Sequence, residues 1–195
     1  MPASKTSAFF ARFRSLIALA LMIVSLSVLS EHFLTADNGL TILRQVSINM
    51  CLSIGMTLVI LSGGIDLSVG AILGFTGAIA AGLLKNGLTI PFLGVNLQFT
   101  TSGAIIAGVL VGAVLGWHNG IAITRFRLPP FIATLGMLSI ARGLGYLWTG
   151  GFPITGLGDS FATIGTGAWL GIPVPVWIMT VLIAIFLVVT KRTRF

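Results

Sequence analysis

Runs of apolar residues close to the thickness of a bilayer, carrying almost no charge, limit what this chain can become. Leu40 to Leu61, Leu67 to Leu84, Ser102 to Thr124, Phe131 to Trp148 and Val176 to Thr190 are such runs. A hydrocarbon core of about 30 Å is crossed by roughly 20 helical residues, and within it every backbone N–H and C=O must find a partner inside the protein. Only helices and closed barrels meet that condition, and runs of this length are helical. The whole chain is 56% hydrophobic and 8% charged, against about 25% charged residues in soluble domains. The expected fold class is all-α, a polytopic transmembrane helical bundle of about six spans.

The chain divides into a basic N-terminus over residues 1–14, a membrane domain over 15–190 and a basic end over 191–195. The spans are expected near 15–30, 40–61, 67–84, 102–124, 131–148 and 174–190. The first run is short, and its basic flank together with Val28-Leu29-Ser30 also fits a cleavable signal peptide. Arg44, near the start of the second span, is expected to lift its guanidinium to the headgroups. Thr149 to Val174 reads as a long glycine-rich loop that rests on the membrane surface or docks a partner. The net charge of +7 comes from separate basic groups flanking the apolar runs. That pattern reports topology and gives no stripe for nucleic acid. With the N-terminus inside, Lys5, Arg12, Arg14, Arg125, Arg127, Lys191, Arg192 and Arg194 are all cytoplasmic, and Lys85 lies outside.

One polar interruption stands out between the second and third spans: Gly63-Gly64-Ile65-Asp66-Leu67-Ser68-Val69-Gly70. Paired glycines break a helix, and a break at membrane depth is tolerated only where the freed backbone is buried in protein or lines a cavity. A carboxylate there normally faces protein or water. Gly63, Gly64, Asp66 and Ser68 are therefore candidate structural polar residues, and Arg142, beside Gly143 in the fifth span, is the candidate internal partner of Asp66. The alternative is that each of the two charged groups caps a helix end separately. Small residues at four-residue spacing mark two helix faces for close packing: Gly70, Gly74, Ala78 and Gly82 in the third span, and Gly108, Gly112, Gly116 and Gly120 in the fourth. His118 and Asn119 suit interhelical hydrogen bonding or contact with a solute. Trp117, Trp148, Trp169 and Trp177 fall near span ends, where lipid-interface anchors sit.

Enzymatic chemistry has little support. No lysine follows a glycine, so the phosphate-binding G-x-x-x-x-G-K-[ST] is missing, and H-E-x-x-H, G-x-S-x-G and a strand-borne G-x-G-x-x-G are missing too. Cys51 has no second cysteine, and His32 and His118 lie far apart, so neither a disulfide nor a metal pair is expected. No catalytic residue, metal or cofactor is expected.

Gly55-Met56-Thr57-Leu58-Val59-Ile60 followed by Gly63 to Gly70 resembles the permease subunit of ribose-type bacterial ABC sugar importers. Asn119-Gly120, Leu128-Pro129-Pro130-Phe131-Ile132-Ala133-Thr134-Leu135-Gly136, Ala141-Arg142-Gly143 and Thr149-Gly150-Gly151-Phe152-Pro153-Ile154 resemble the same family in order and spacing. The resemblance runs from about Met50 to the end. It implies a transmembrane pore made with a second permease subunit, identical or not, in the bacterial inner membrane. It also implies a cytoplasmic ABC ATPase that supplies energy and a periplasmic sugar-binding protein that delivers a pentose or hexose. The family fold, similar to that of the vitamin B12 importer, has about ten spans, so this chain is expected to be a fragment, a truncated product or one half of a split subunit. A translocation path is expected to involve Asn119, Phe131, Thr134 and Trp148. Two other functions remain open from the residues alone: an ion-coupled secondary transporter that uses Asp66, and a non-transporting fragment.

Overall fold

The computed structural model describes residues 13–192, so the basic segments 1–12 and 193–195 lie outside the described residues. Seven α-helices occur among the described residues: α1 Arg14–Leu29, α2 Ala36–Leu61, α3 Val69–Asn86, α4 Thr101–Thr124, α5 Pro130–Thr149, α6 Asp159–Thr166 and α7 Val174–Arg192. Two short antiparallel ribbons are also present, with a 3-10 turn, Pro91–Leu93, between the strands of the first. Leu88–Ile90 (β1) pairs with Val95–Leu97 (β2), and Ala168–Trp169 (β3) pairs with Ile172–Pro173 (β4). Helices α2, α3, α4, α5 and α7 are long and apolar enough to cross a membrane. Helix α1 is shorter, at 16 residues, which at 1.5 Å per residue is about 24 Å.

The chain forms two compact units divided after Gln45, within α2. In the first, Ser25 and Ser27 of α1 turn their hydroxyls back onto the carbonyls of Leu21 and Ile23, so neither needs a partner from outside the helix. Helix α2 begins at Ala36, four residues earlier than the apolar run. The Thr35 hydroxyl accepts from Asn38 N–H at 3.3 Å, and Asp37 places a carboxylate in the positive first turn.

The second unit is built around α3, which packs against both α4 and α5. The two glycine stripes do not face each other. A Cβ on Gly108 of α4 would lie 2.9 Å from the Thr76 carbonyl oxygen, and one on Gly112 would lie 3.2 Å from Thr76 Cγ2. The α4 stripe thus rests on the Ile72, Thr76 and Ala80 face of α3. The stripe of α3 itself turns toward α5, where Gly82 lies under the Trp148 indole, with Cε2 2.8 Å from where a Cβ would stand. Trp148 Nε1 donates to the Ala78 carbonyl at 2.9 Å, so this tryptophan serves as an interhelical clamp as well as lying near a span end. Gly70, Gly74, Gly116 and Gly120 have nothing within 4 Å of a Cβ position and border open space.

The segment from Thr149 to Val174 is more ordered than its composition suggests. It holds α6 and the β3–β4 hairpin, and Phe161 of α6 packs against the Ala80, Leu83 and Ala104 core at the C-terminal end of α3. Lys85 adds a bond at 2.7 Å to the Thr155 carbonyl. A single anchoring aromatic on a two-turn helix leaves too short a period to be visible in sequence.

Candidate functional site

Helix α2 stops at the glycine pair by a specific hydrogen-bond pattern. Gly63 has φ 78°, in the left-handed region that residues with a Cβ enter at a cost. Gly63 N–H donates to the Ile60 carbonyl at 2.9 Å and Gly64 N–H to the Val59 carbonyl at 3.0 Å, which is a Schellman ending that satisfies carbonyls the helix leaves open. Behind it, a Cβ on Gly64 would press on Val59 Cγ1 at 3.3 Å.

The chain then runs through Ile65, Asp66 and Leu67 before α3 starts, and here backbone donors have no helical partner. A side chain of α5 and one of the break itself accept from them, and α4 adds a bond to the Ser68 hydroxyl. Leu67 N–H donates to Thr134 Oγ1 of α5 at 3.2 Å. Ser68 N–H donates to Asp66 Oδ1 at 2.7 Å, and the Ser68 hydroxyl donates to the same oxygen. Asn119 Nδ2 of α4 donates to Ser68 Oγ at 2.9 Å. The Thr134 hydroxyl in turn donates to the Pro130 carbonyl at 2.8 Å. Ser68 is 0% exposed and Thr134 1%, so these bonds are made away from solvent, where an unmet donor costs most. Asp66 also sets its negative charge at the N-terminus of α3, where the helix dipole favours it.

Beside this knot lies a cavity of about 310 Å³, bordered by Gly63, Gly64 and Asp66 on the break, Asn119 and Gly120 on α4, and Thr134 on α5. A second cavity of about 370 Å³ lies between α3 and α5, over Gly70 and Gly74, with Arg142, Tyr146 and Thr149 on its rim. The expected pairing of Asp66 with Arg142 does not form. Among the described residues no ion pair joins them, and Arg142 is exposed and borders the second cavity. The reason is local: Ser68, two residues along, satisfies the carboxylate without any long-range closure. Of the residues expected to line a path, Asn119 and Thr134 border the first cavity, while Phe131 and Trp148 border neither. Among the described residues no cluster of three or more His, Cys, Asp or Glu could hold a metal.

A family model described as branched-chain amino acid transport system / permease component matches residues 38–195, which contain the break and all its partners. The chain belongs to this permease family. Among curated members, the chain is 43% identical over 184 residues to the ribose import permease of Haemophilus influenzae, covering 92% of this chain and 54% of that protein. It is 44% identical over 181 residues to the ribose import permease of Bacillus subtilis, covering 92% and 53%. It is 35% identical over 187 residues to the D-allose transport system permease of Escherichia coli, covering 95% and 54%. The chain thus spans about half the length of the curated relatives it matches. No solved structure matches it.

The sequence singled out every polar member of the knot. What it did not provide is who bonds whom: Thr134 enters as a residue of a path and Asn119 as an interhelical hydrogen-bonding or path residue, and both are found holding the break. Polar residues on α4 and α5 near the Arg125 to Pro129 turn were the available clue, because that turn brings the two to the same end of the bundle.

Proposed function

We propose that this chain is a membrane-spanning part of an ABC importer permease that moves a sugar, a pentose or hexose, across the inner membrane. The observation that carries the reading is the 43% identity to a ribose import permease across 92% of the chain. Its partners are a second permease subunit, a cytoplasmic ATPase and a periplasmic sugar-binding protein, with the N-terminus of the chain in the cytoplasm. In this reading Asp66 is a structural group. Its Oδ1 is taken by the Ser68 N–H and hydroxyl, so it caps α3 and holds the broken helix in shape while the bundle changes state. Asn119 and Thr134 border the cavity beside it, with the Asn119 amide N–H and the Thr134 hydroxyl bonded within the break.

The test uses the full-length protein, expressed with its ATPase in cells that lack their own ribose and allose permeases. Uptake of labelled ribose or allose that needs ATP hydrolysis is the expected result. Uptake that survives an inactive ATPase and collapses with a protonophore assigns Asp66 to ion coupling instead, and no uptake of these two or of any other sugar in a panel of labelled pentoses and hexoses moves the substrate outside the proposed class.

A further inference from the structure

The β3–β4 hairpin, just ahead of α7, ends in a tip that is both strained and apolar. Ala168 pairs with Pro173 and Trp169 with Ile172, which leaves Leu170 and Gly171 as a two-residue turn. Both turn residues have positive φ, 53° and 75°. That is the type I′ geometry, which favours Asn or Gly at its first position. Leucine is disfavoured there by its Cβ, and nothing within the described residues compensates, because the side chain is 76% exposed. An outlier of this kind points to a role outside the chain itself.

Trp169, beside it, is 60% exposed and meets the Trp177 ring edge-on at 5.1 Å, and Trp177 Nε1 donates to the Trp169 carbonyl at 3.3 Å. Trp177 lies in the first turn of α7, one of the candidate spans. Tryptophans at span ends lie at headgroup level, with the ring body in the acyl boundary and the N–H toward polar groups. Contact with Trp177 therefore puts Trp169 at the same depth. Leu170 is four residues before Val174, within about 14 Å of the start of the span even for a fully extended chain. Between Arg142 and Lys191 the sequence holds a single charged residue, Asp159, so the hairpin itself carries no charge that would resist entry into the interface.

We propose that the Trp169-Leu170 tip is seated in the interfacial layer of the bilayer, and that the hairpin anchors the N-terminal end of α7 to lipid. The strained turn is what aims a leucine, in place of the asparagine the geometry prefers, toward the membrane.

The experiment is done on the protein with Cys51, the one cysteine of the sequence, replaced, and Leu170→Cys labelled with an environment-sensitive fluorophore. The protein is placed in liposomes of phosphatidylethanolamine and phosphatidylglycerol. The expected result is blue-shifted emission, quenched more strongly by lipids spin-labelled near the headgroup than by aqueous iodide. Stronger quenching by iodide puts the tip in water, and quenching by neither puts it against protein; either overturns the proposal. Leu170→Asn provides a second measurement, since it suits the turn and should retain the melting temperature of the wild type in detergent. A fall would mark a side chain packed within the protein and would equally overturn it.

Discussion

At the scale of single residues, the break between α2 and α3 is a problem of unmet backbone donors, and the solution is local at one point and distant at another. Asp66 solves the nearest part within two residues, through Ser68 N–H. Thr134 reaches Leu67 N–H from α5. Thr134→Val keeps the shape and removes the acceptor, which leaves the part-buried Leu67 N–H unpaired at about 1 kcal/mol; thermal unfolding of the protein in detergent should show that loss, with Thr134→Ser close to wild type. For Asp66 the order of effects separates a cap from an ion site. Asp66→Asn keeps an acceptor oxygen for Ser68 and should retain much of the sugar uptake, whereas Asp66→Leu loses both stability and uptake. Equal and complete loss of uptake in both variants, with stability intact, would favour a charge-dependent role. Gly63→Ala forces a Cβ into the left-handed region at roughly 1–2 kcal/mol and should lower the melting temperature in detergent.

At the scale of helices, contact is decided by where small residues meet large ones. Gly82 exists beneath Trp148, and Gly108 beneath the Thr76 carbonyl, and the two cases should respond differently to the same substitution. Gly82→Ala overlaps a side chain, so its cost, about 1–3 kcal/mol by analogy with overpacked cores, should be partly recovered by shrinking the neighbour in Gly82→Ala/Trp148→Phe. Gly108→Ala meets backbone, which no shortening of a side chain relieves, and Gly108→Ala/Thr76→Ser should stay as unstable as Gly108→Ala alone. Melting of the purified protein in one detergent decides both. The stripes were legible in sequence as places of close approach, but their partners were not. A row of small residues says how near another helix can come and carries nothing about which helix or which face it presents.

At the scale of the whole molecule, the ends of α3, α4 and α5 sort the polar segments onto two sides. The break and the Arg125 to Pro129 turn share one end through Asn119, Thr134 and Ser68, and Lys85 is tied to the loop after α5 at the other. Reporter fusions after Lys85 and after Arg127 should therefore fall on opposite faces of the membrane, with the Arg127 fusion cytoplasmic if the basic flanks set orientation. Both fusions on one face would break the span assignment. The helical class, the long apolar helices to within a few residues and the place where a helix must stop were legible in the residues alone, because apolar length, glycine pairs and caps act over one or two turns of chain. That Asp66 is answered by Ser68 and not by Arg142, that Thr134 and Asn119 bond to the break, and that the two glycine stripes face different neighbours emerged in the packed fold. Those outcomes depend on the register and rotation of one helix against another, which are settled by the fit of many side chains at once and leave no mark within any single stretch of sequence.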